Sequence, residues 1–436
     1  MKSFLFGLSM LMISSLSLAQ TDQTEQKLVQ WIDEYNSEGL ALLKKLININ
    51  SGTMNFEGVR QVGEVLMPQF EALGMEVKFT DGAAYNRAGH LIAKIEGGKG
   101  PKIMMIGHLD TVFEPDSPFQ TWEQIDNNTL KGPGVADMKG GDVIILQALK
   151  ALHAQGLLQN MNIWVVMTGD EEMSGRPLSL SKADLIEAAQ WADIALGFEN
   201  GDGNPATVNV ARRSSTSWKL DVTGNPAHSS QVFKPEVGTG AIFEASRIIY
   251  QFYDQLAGEK FLTFNPGNIL GGTDVSYDDA DKSGTAFGKT NVVAERALVN
   301  GDIRCLTDDQ LQNAKDIMQR IVRDSLPGTS ATLTFEEGYP PFAPTDGNYM
   351  LMNAFSQVSV DLGFDQVKPV DPADAGAADI SFTSQYIEMG IDGMGMSGAD
   401  DHTINETGRI DALPMQTKRT AVLLYRMLKG SLTIKD

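Results

Sequence analysis

The chain has 436 residues and 42% hydrophobic content, more than one typical domain needs and ample for more than one core. Its formal net charge is −21 and no basic cluster stands out, which argues against nucleic acid or an anionic membrane as a partner. The single cysteine, Cys305, excludes an internal disulfide and is expected as a buried thiol.

In chain order, MKSFLFGLSMLMISSLSLAQ combines a Lys, an apolar run and Ser17-Leu18-Ala19 before Gln20. It reads as a secretory signal over residues 1–19, cleaved after Ala19, and points to a Gram-negative periplasm. A membrane anchor is the weaker reading, because the apolar run is too short to span well and no basic stop follows. No cysteine lies near the cleavage point, so a lipoprotein is not expected. No second long apolar run follows, so the mature protein is expected to be soluble.

A helix rich in polar residues and Leu is predicted from residue 24 to about 47, and a second over 58–73. Strands are predicted at MEVKFT, HLIAKIEG, KIMMIGH, NIWVVMTG and ADIALGF, with helices between them such as 141–154. That alternation predicts an α/β domain with a mostly parallel sheet covered on both faces. After Arg212-Arg213 the pattern changes. STSWKLDVTG, KTNVVAERALVNGDIRC and SATLTFEEG look like half-exposed strands, and helices are predicted over 237–256 and 308–325. Four or so strands with two helices suggest an α+β domain with one sheet face covered. PPFAPTD then marks a return to the first domain. The α+β unit is thus an insertion over 213–335, between a first part of the catalytic domain over 20–212 and a second over 336–436. SGTAFGK reads as a mobile loop over the substrate, since it lacks phosphate-loop spacing and opens no helix.

Five segments carry chemistry: GHLDTV with His108 and Asp110, KGPGVADMKGG with Asp137, TGDEEMSG with Glu171 and Glu172, LGFENGDG with Glu199, and GADDHTINE with His402. Each runs from an apolar, β-prone stretch into a Gly-containing turn, where a parallel sheet delivers side chains to a shared site. Histidine and carboxylate donors without thiolate suit zinc or a similar borderline divalent ion. Taken singly, each has a plainer reading. His108 is a satisfied strand-end histidine, Asp137 a helix cap, and Glu171-Glu172 a solvated pair. Glu199 alone says little. The combination and its order favour a metal site.

These segments resemble the zinc metallopeptidase family of bacterial glutamate carboxypeptidase, succinyl-diaminopimelate desuccinylase and aminoacylase, over nearly all of the chain after the first two dozen residues. The resemblance implies two divalent ions per chain, zinc first, with cobalt or manganese as alternatives. It implies that His108, Asp137, Glu172, Glu199 and His402 are ligands, with Asp137 shared by both ions. It implies that Asp110 orients the His108 ring and that Glu171 is the general base and acid. Those residue types suit the chemistry: a shared carboxylate offsets the repulsion of two cations, a ligating imidazole needs a partner on its other nitrogen, and a carboxylate can carry a proton to the leaving amine.

The resemblance also makes the insertion a lid that forms a homodimer interface. His228, in GNPAHSS, is by default a surface histidine; the resemblance implies that it reaches an active site, often the partner's. Asn291 and Arg304 would bind the substrate's carboxylate end, a guanidinium matching a carboxylate with two parallel hydrogen bonds. The plainer reading of Arg304 is an ion pair with Asp302. His90 and His153 read as structural.

The expected function is hydrolysis of an amide next to a free carboxylate in a small peptide or N-acyl amino acid. An aminopeptidase, which would need acidic groups for a substrate ammonium, is the rival within the enzyme class. A non-catalytic binding protein on the same fold is the other class, and retention of Glu171 with every ligand type argues against it.

Overall fold

The computed structural model describes residues 21–279 and 282–430. The signal expected over 1–19 lies outside the described residues, and no described helix is long and apolar enough to cross a membrane.

The catalytic part is a six-stranded sheet in the spatial order Glu76–Phe79, Leu91–Ile95, Asn162–Thr168, Lys102–His108, Ile194–Gly197, Met389–Ile391. The last four run parallel, whereas Leu91–Ile95 is antiparallel to both neighbours. Lys102–His108 and Asn162–Thr168 are buried at every position after the first, as strands covered on both faces must be. One face packs against Gln23–Ile47, Phe56–Glu71, Lys139–Ala154 and Ala412–Leu428, around Leu43, Val59, Ile145 and Leu424. The other buries Met104, Val166, Leu185 and Phe342. Gln23–Ile47 starts where Asp22 and Glu25 form a reciprocal capping box.

The insertion is a four-stranded antiparallel sheet in the order Thr263–Gly272, Arg296–Arg304, Ser215–Gly224, Thr329–Tyr339. Helices Ala241–Leu256 and Asp308–Arg323 cover one face, around a core of its own that includes Leu220, Ile248, Val299 and Met318. Ser215–Gly224 buries Thr216, Trp218, Leu220 and Val222 and leaves the residues between them partly or fully exposed, the period of a one-sided sheet.

The lid departs from the sequence reading in five places. SGTAFGK is not a loop: Ser283–Phe287 pairs with Asp274–Asp278 as a hairpin. In KTNVVAERALVNGDIRC only Arg296–Arg304 is strand. Thr263–Gly272 is an edge strand that the sequence reading did not name, and Pro266 is tolerated because the register shifts there. The last lid strand, expected over SATLTFEEG, runs one residue further to Tyr339, beyond the insertion's expected bound at 335. The helix expected from 237 starts at Ala241, because Gly238 and Gly240 take φ of 80° and 79°.

Candidate metal centre

Three neighbouring parallel strands end side by side. Lys102–His108 delivers His108 and, just beyond, Asp110. Asn162–Thr168 leads into Asp170, Glu171 and Glu172. Ile194–Gly197 leads to Glu199. Asp137 arrives from the turn before Lys139–Ala154, and His402 from the turn between Gly398–Ala399 and Thr407–Arg409.

Asp137 lies between two imidazoles. Its Oδ1 is 3.1 Å from His108 Nε2 and its Oδ2 is 3.0 Å from His402 Nε2. Glu199 Oε1 is 3.4 Å from His108 Nε2, and Glu172 Oε2 is 3.2 Å from His402 Nε2. Two donor groups result, His108–Asp137–Glu199 and Asp137–Glu172–His402, each with its ligating atoms within 4.8 Å of one another. They share Asp137, one oxygen facing each. Every donor is nitrogen or oxygen, the set that suits borderline divalent cations.

The electrostatics describe a place that lacks positive charge. Burial, and then the Asp137 charge, push Glu172 up to about 8 and Glu199 up to about 7. Hydrogen bonds to Asp137 and Glu172 raise His402 to about 11. Protons do here what cations would do: they keep neighbouring carboxylates from repelling one another in a poorly solvated pocket. The residues present therefore fit a pair of divalent ions.

The turns that carry Asp137, Glu171-Glu172 and Glu199 are each held by a buried acid from another segment. The Asp110 carboxylate accepts from the backbone N–H of Glu171 at 3.1 Å and of Glu172 at 3.2 Å, and from Thr53 Oγ1 at 2.7 Å. Its backbone oxygen is 3.0 Å from His108 Nδ1 and its Oδ1 is 3.4 Å from the same nitrogen, so Asp110 also holds the imidazole. Glu406 accepts from the N–H groups of Gly134, Ala136 and Asp137 at 3.0, 2.9 and 3.1 Å. Asp392 accepts from the Glu199 N–H at 3.3 Å and pairs with Arg212 at 2.7 Å. Beneath Glu171, the fully buried Lys182 lies 2.9 Å from Asp170 and 3.0 Å from Asp379. Glu406, Asp392, Asp379 and Lys182 escaped the sequence reading. Glu406 ends the GADDHTINE segment and was within sight; the others are ordinary charged residues until the fold buries them.

Glu171 is half-buried beside this cluster. Burial, and then the charges of Glu199 and Asp379, hold its carboxyl well above the usual range. His228, Asn291 and Arg304 are not gathered here. His228 is exposed at the far end of the lid, its Nδ1 2.9 Å from Ser230 Oγ. Asn291 is next to it, its carbonyl accepting from the Ser229 N–H at 2.9 Å, while Val292 bridges to His228. Arg304 is at the other end of the lid sheet, half-buried and paired with Asp302 at 3.0 Å, its plainer reading. The nine-residue strand Arg296–Arg304 separates the two ends by roughly 26 Å at 3.3 Å per residue. One chain thus brings His228 to Asn291 but not Asn291 to Arg304.

The remaining histidines are occupied. His90 is buried between Tyr85 OH at 2.9 Å and the Ser181 carbonyl at 2.8 Å, and accepts from the Gly169 N–H at 3.1 Å. His153 pairs with Gln159 at 2.7 Å. Cys305 is buried, which pushes its thiol up to about 12.

Residues 104–426 match the family described as Peptidase family M20/M25/M40. The chain is 25% identical over 430 residues to carboxypeptidase G2 of Pseudomonas sp. (strain RS-16), covering 96% of this chain and 95% of that one. It is 24% identical over 407 residues to succinyl-diaminopimelate desuccinylase of Gluconacetobacter diazotrophicus, covering 90% of this chain and 98% of that one. Among solved structures, a tripeptidase of Staphylococcus aureus superposes with a TM-score of 0.68 at 20% identity, covering 90% and 99% of the two chains. The YXEP protein of Bacillus subtilis, described as a dinuclear metal-binding peptidase, does so with 0.63 at 16% identity, covering 91% and 99%. The α/β fold with its mainly parallel sheet is the fold of those enzymes. The chain belongs to peptidase family M20/M25/M40 and is a hydrolase of the carboxypeptidase-like kind.

Proposed function

We propose that this protein is a secreted, periplasmic di-zinc exopeptidase that cleaves an amide next to a free carboxylate, with a small peptide or N-acyl amino acid as substrate. The observation that carries the two-metal reading is Asp137, whose two carboxylate oxygens each face a different imidazole. His108, Asp137 and Glu199 would hold one ion, and Asp137, Glu172 and His402 the other. When bound, the ions supply Lewis acidity toward the amide carbonyl and lower the pKa of water.

The chain's own groups do the rest. Asp110 fixes the ring of His108 and the backbone of the Glu171-Glu172 turn. Glu171 takes a proton from the attacking water and delivers it to the leaving nitrogen. Arg304 lies at the lid end nearest the chain crossings, where turning its guanidinium from Asp302 to a substrate carboxylate exchanges one charge-assisted pair for another. His228 and Asn291, at the far end, would serve a partner's site.

A homodimer is supported by the lid's outer surface. Thr263–Gly272 is the edge of its sheet. Beside it, Ala241–Leu256 exposes Ile242, Phe243, Tyr250 and Tyr253, each 46% or more accessible. An unpaired edge next to exposed aromatics suits a second copy. The N-terminal signal reading supports export.

The test is to load the purified protein with zinc or cobalt and screen N-acyl amino acids and dipeptides by mass spectrometry. Release of the carboxyl-terminal amino acid from N-blocked substrates is expected. Cleavage confined to substrates with a free amino terminus would instead establish an aminopeptidase. Full metal loading with no turnover would leave a binding protein.

A further inference from the structure

The turn that carries Glu171 and Glu172 is gripped from the lid. Tyr339 closes the last lid strand and pairs with Ser215, the first residue of the lid's first strand, so both chain crossings meet beside it. Its phenol OH donates to the Glu171 carbonyl oxygen at 2.7 Å and is 3.1 Å from Ser174 Oγ. The ring packs on Phe382 with centroids 5.0 Å apart. Close by, Arg176 donates to the Glu337 carbonyl at 2.6 Å and pairs with the Glu336 carboxylate at 3.2 Å. On the catalytic side, the Glu171 N–H donates to Asp110 Oδ1 at 3.1 Å. Glu171 is therefore held at its N–H by the catalytic domain and at its C=O by a lid residue.

We propose that Tyr339 is a positioning residue that sets the backbone of Glu171 from the domain crossing, so that seating the lid and aiming the general base are one event. The proposal rests on the reading of Glu171 as base. Its physical ground is that a proton-transfer group works only within hydrogen-bond reach of its target, so a small rotation of the turn is felt in turnover. Backbone restraint on both sides of one residue fixes the start of its side chain more tightly than side-chain packing alone. The hydrogen bond to Glu171 is made by the phenol oxygen, and the ring's contact with Phe382 needs no hydroxyl. Tyr339→Phe thus removes the restraint and leaves the packing.

The experiment uses the full, metal-loaded chain. In Tyr339→Phe, kcat should fall about fivefold to tenfold, the scale of one net hydrogen bond, with KM within about twofold and metal content unchanged. In a Glu171→Gln background the same change should cost nothing further, because it acts through a base that is already gone. Hydrogen exchange of the amides from 171 to 176 should quicken in Tyr339→Phe, while the strand Lys102–His108 stays protected. Arg176→Ala, at an exposed position, should quicken the same segment and serves if the tyrosine variant folds poorly. An equal loss of kcat in the Glu171→Gln background, or unchanged exchange over 171–176, would overturn the proposal. If the wild-type protein hydrolyses none of the substrates, the proposed function fails, and exchange still decides whether Tyr339 restrains the turn.

Discussion

At the scale of single residues, two neighbours in sequence are asked to do different work. Glu172 faces His402, whereas Glu171 feels the charges of Glu199 and Asp379. They diverge because they sit in a turn past a strand end, with both N–H groups fixed by one carboxylate, Asp110. Glu171→Gln keeps size and hydrogen bonding but cannot carry a proton. Metal content should therefore stay at the wild-type level while turnover falls about 10²–10⁴-fold. Near wild-type turnover with metal present would remove Glu171 as the base. The shared acid makes a different prediction. Asp137→Ala should empty both sites, since one carboxylate serves both donor groups, whereas His402→Ala should empty mainly one. Metal per chain, measured in each variant, checks this, and full occupancy in the Asp137 variant would end the bridging role. The donor set was legible in the sequence because each donor follows an apolar strand or a Gly-rich turn. Glu406 and Asp392 were not legible as supports, since their work is to accept backbone N–H groups from segments far away in sequence.

At the scale of elements, five of the six catalytic strands announced themselves, the three-residue Met389–Ile391 did not, and the lid strands did so only in part. Lys102–His108 and Asn162–Thr168 are unbroken apolar runs because both faces are covered. Thr263–Gly272 carries Asn265, Pro266 and three glycines. Its pairing comes from one neighbour across a register shift, and no local pattern reports that. Arg212 and Asp392 tie two distant elements together. Arg212 opens the crossing into the lid, and Asp392 follows Met389–Ile391, the last strand of the catalytic sheet. Both are buried, so Asp392→Ala would leave the Arg212 guanidinium with the Gly376 carbonyl but no paired carboxylate, and would release the Glu199 N–H. Breaking one side of such a pair costs about 3–5 kcal/mol. Denaturant unfolding of the apo protein should show a loss on that scale, and metal affinity should weaken at the site that uses Glu199. A variant as stable as wild type would mean that Arg212 finds another partner.

At the scale of the whole molecule, the position of His228 raises the question of which site it serves. It stands four residues past the far end of Ser215–Gly224, a ten-residue strand that starts at the crossing. That strand alone spans roughly 30 Å at 3.3 Å per residue, and every metal-donor residue is in the other domain. On the proposed reading, His228 would reach a metal centre either through a large closure of its own lid or from a second copy joined at the exposed lid edge. Complementation separates the two. Chains carrying His228→Ala and chains carrying Glu171→Gln, each inactive alone, are mixed and allowed to exchange subunits. If His228 acts on its partner, the heterodimer holds one site with an intact Glu171 and an intact His228 supplied across the interface. About half of the sites in each heterodimer would then be complete, and random exchange would restore roughly a quarter of wild-type activity. If His228 acts within its own chain, every site still lacks one group and the mixture stays inactive. Subunit exchange is followed separately, by mass, on differently tagged chains. A mixture that exchanges and remains inactive assigns His228 to its own site and makes lid closure the step that completes it. A mixture that recovers makes the dimer the smallest active unit, and dilution below its dissociation constant should then abolish turnover without unfolding either chain.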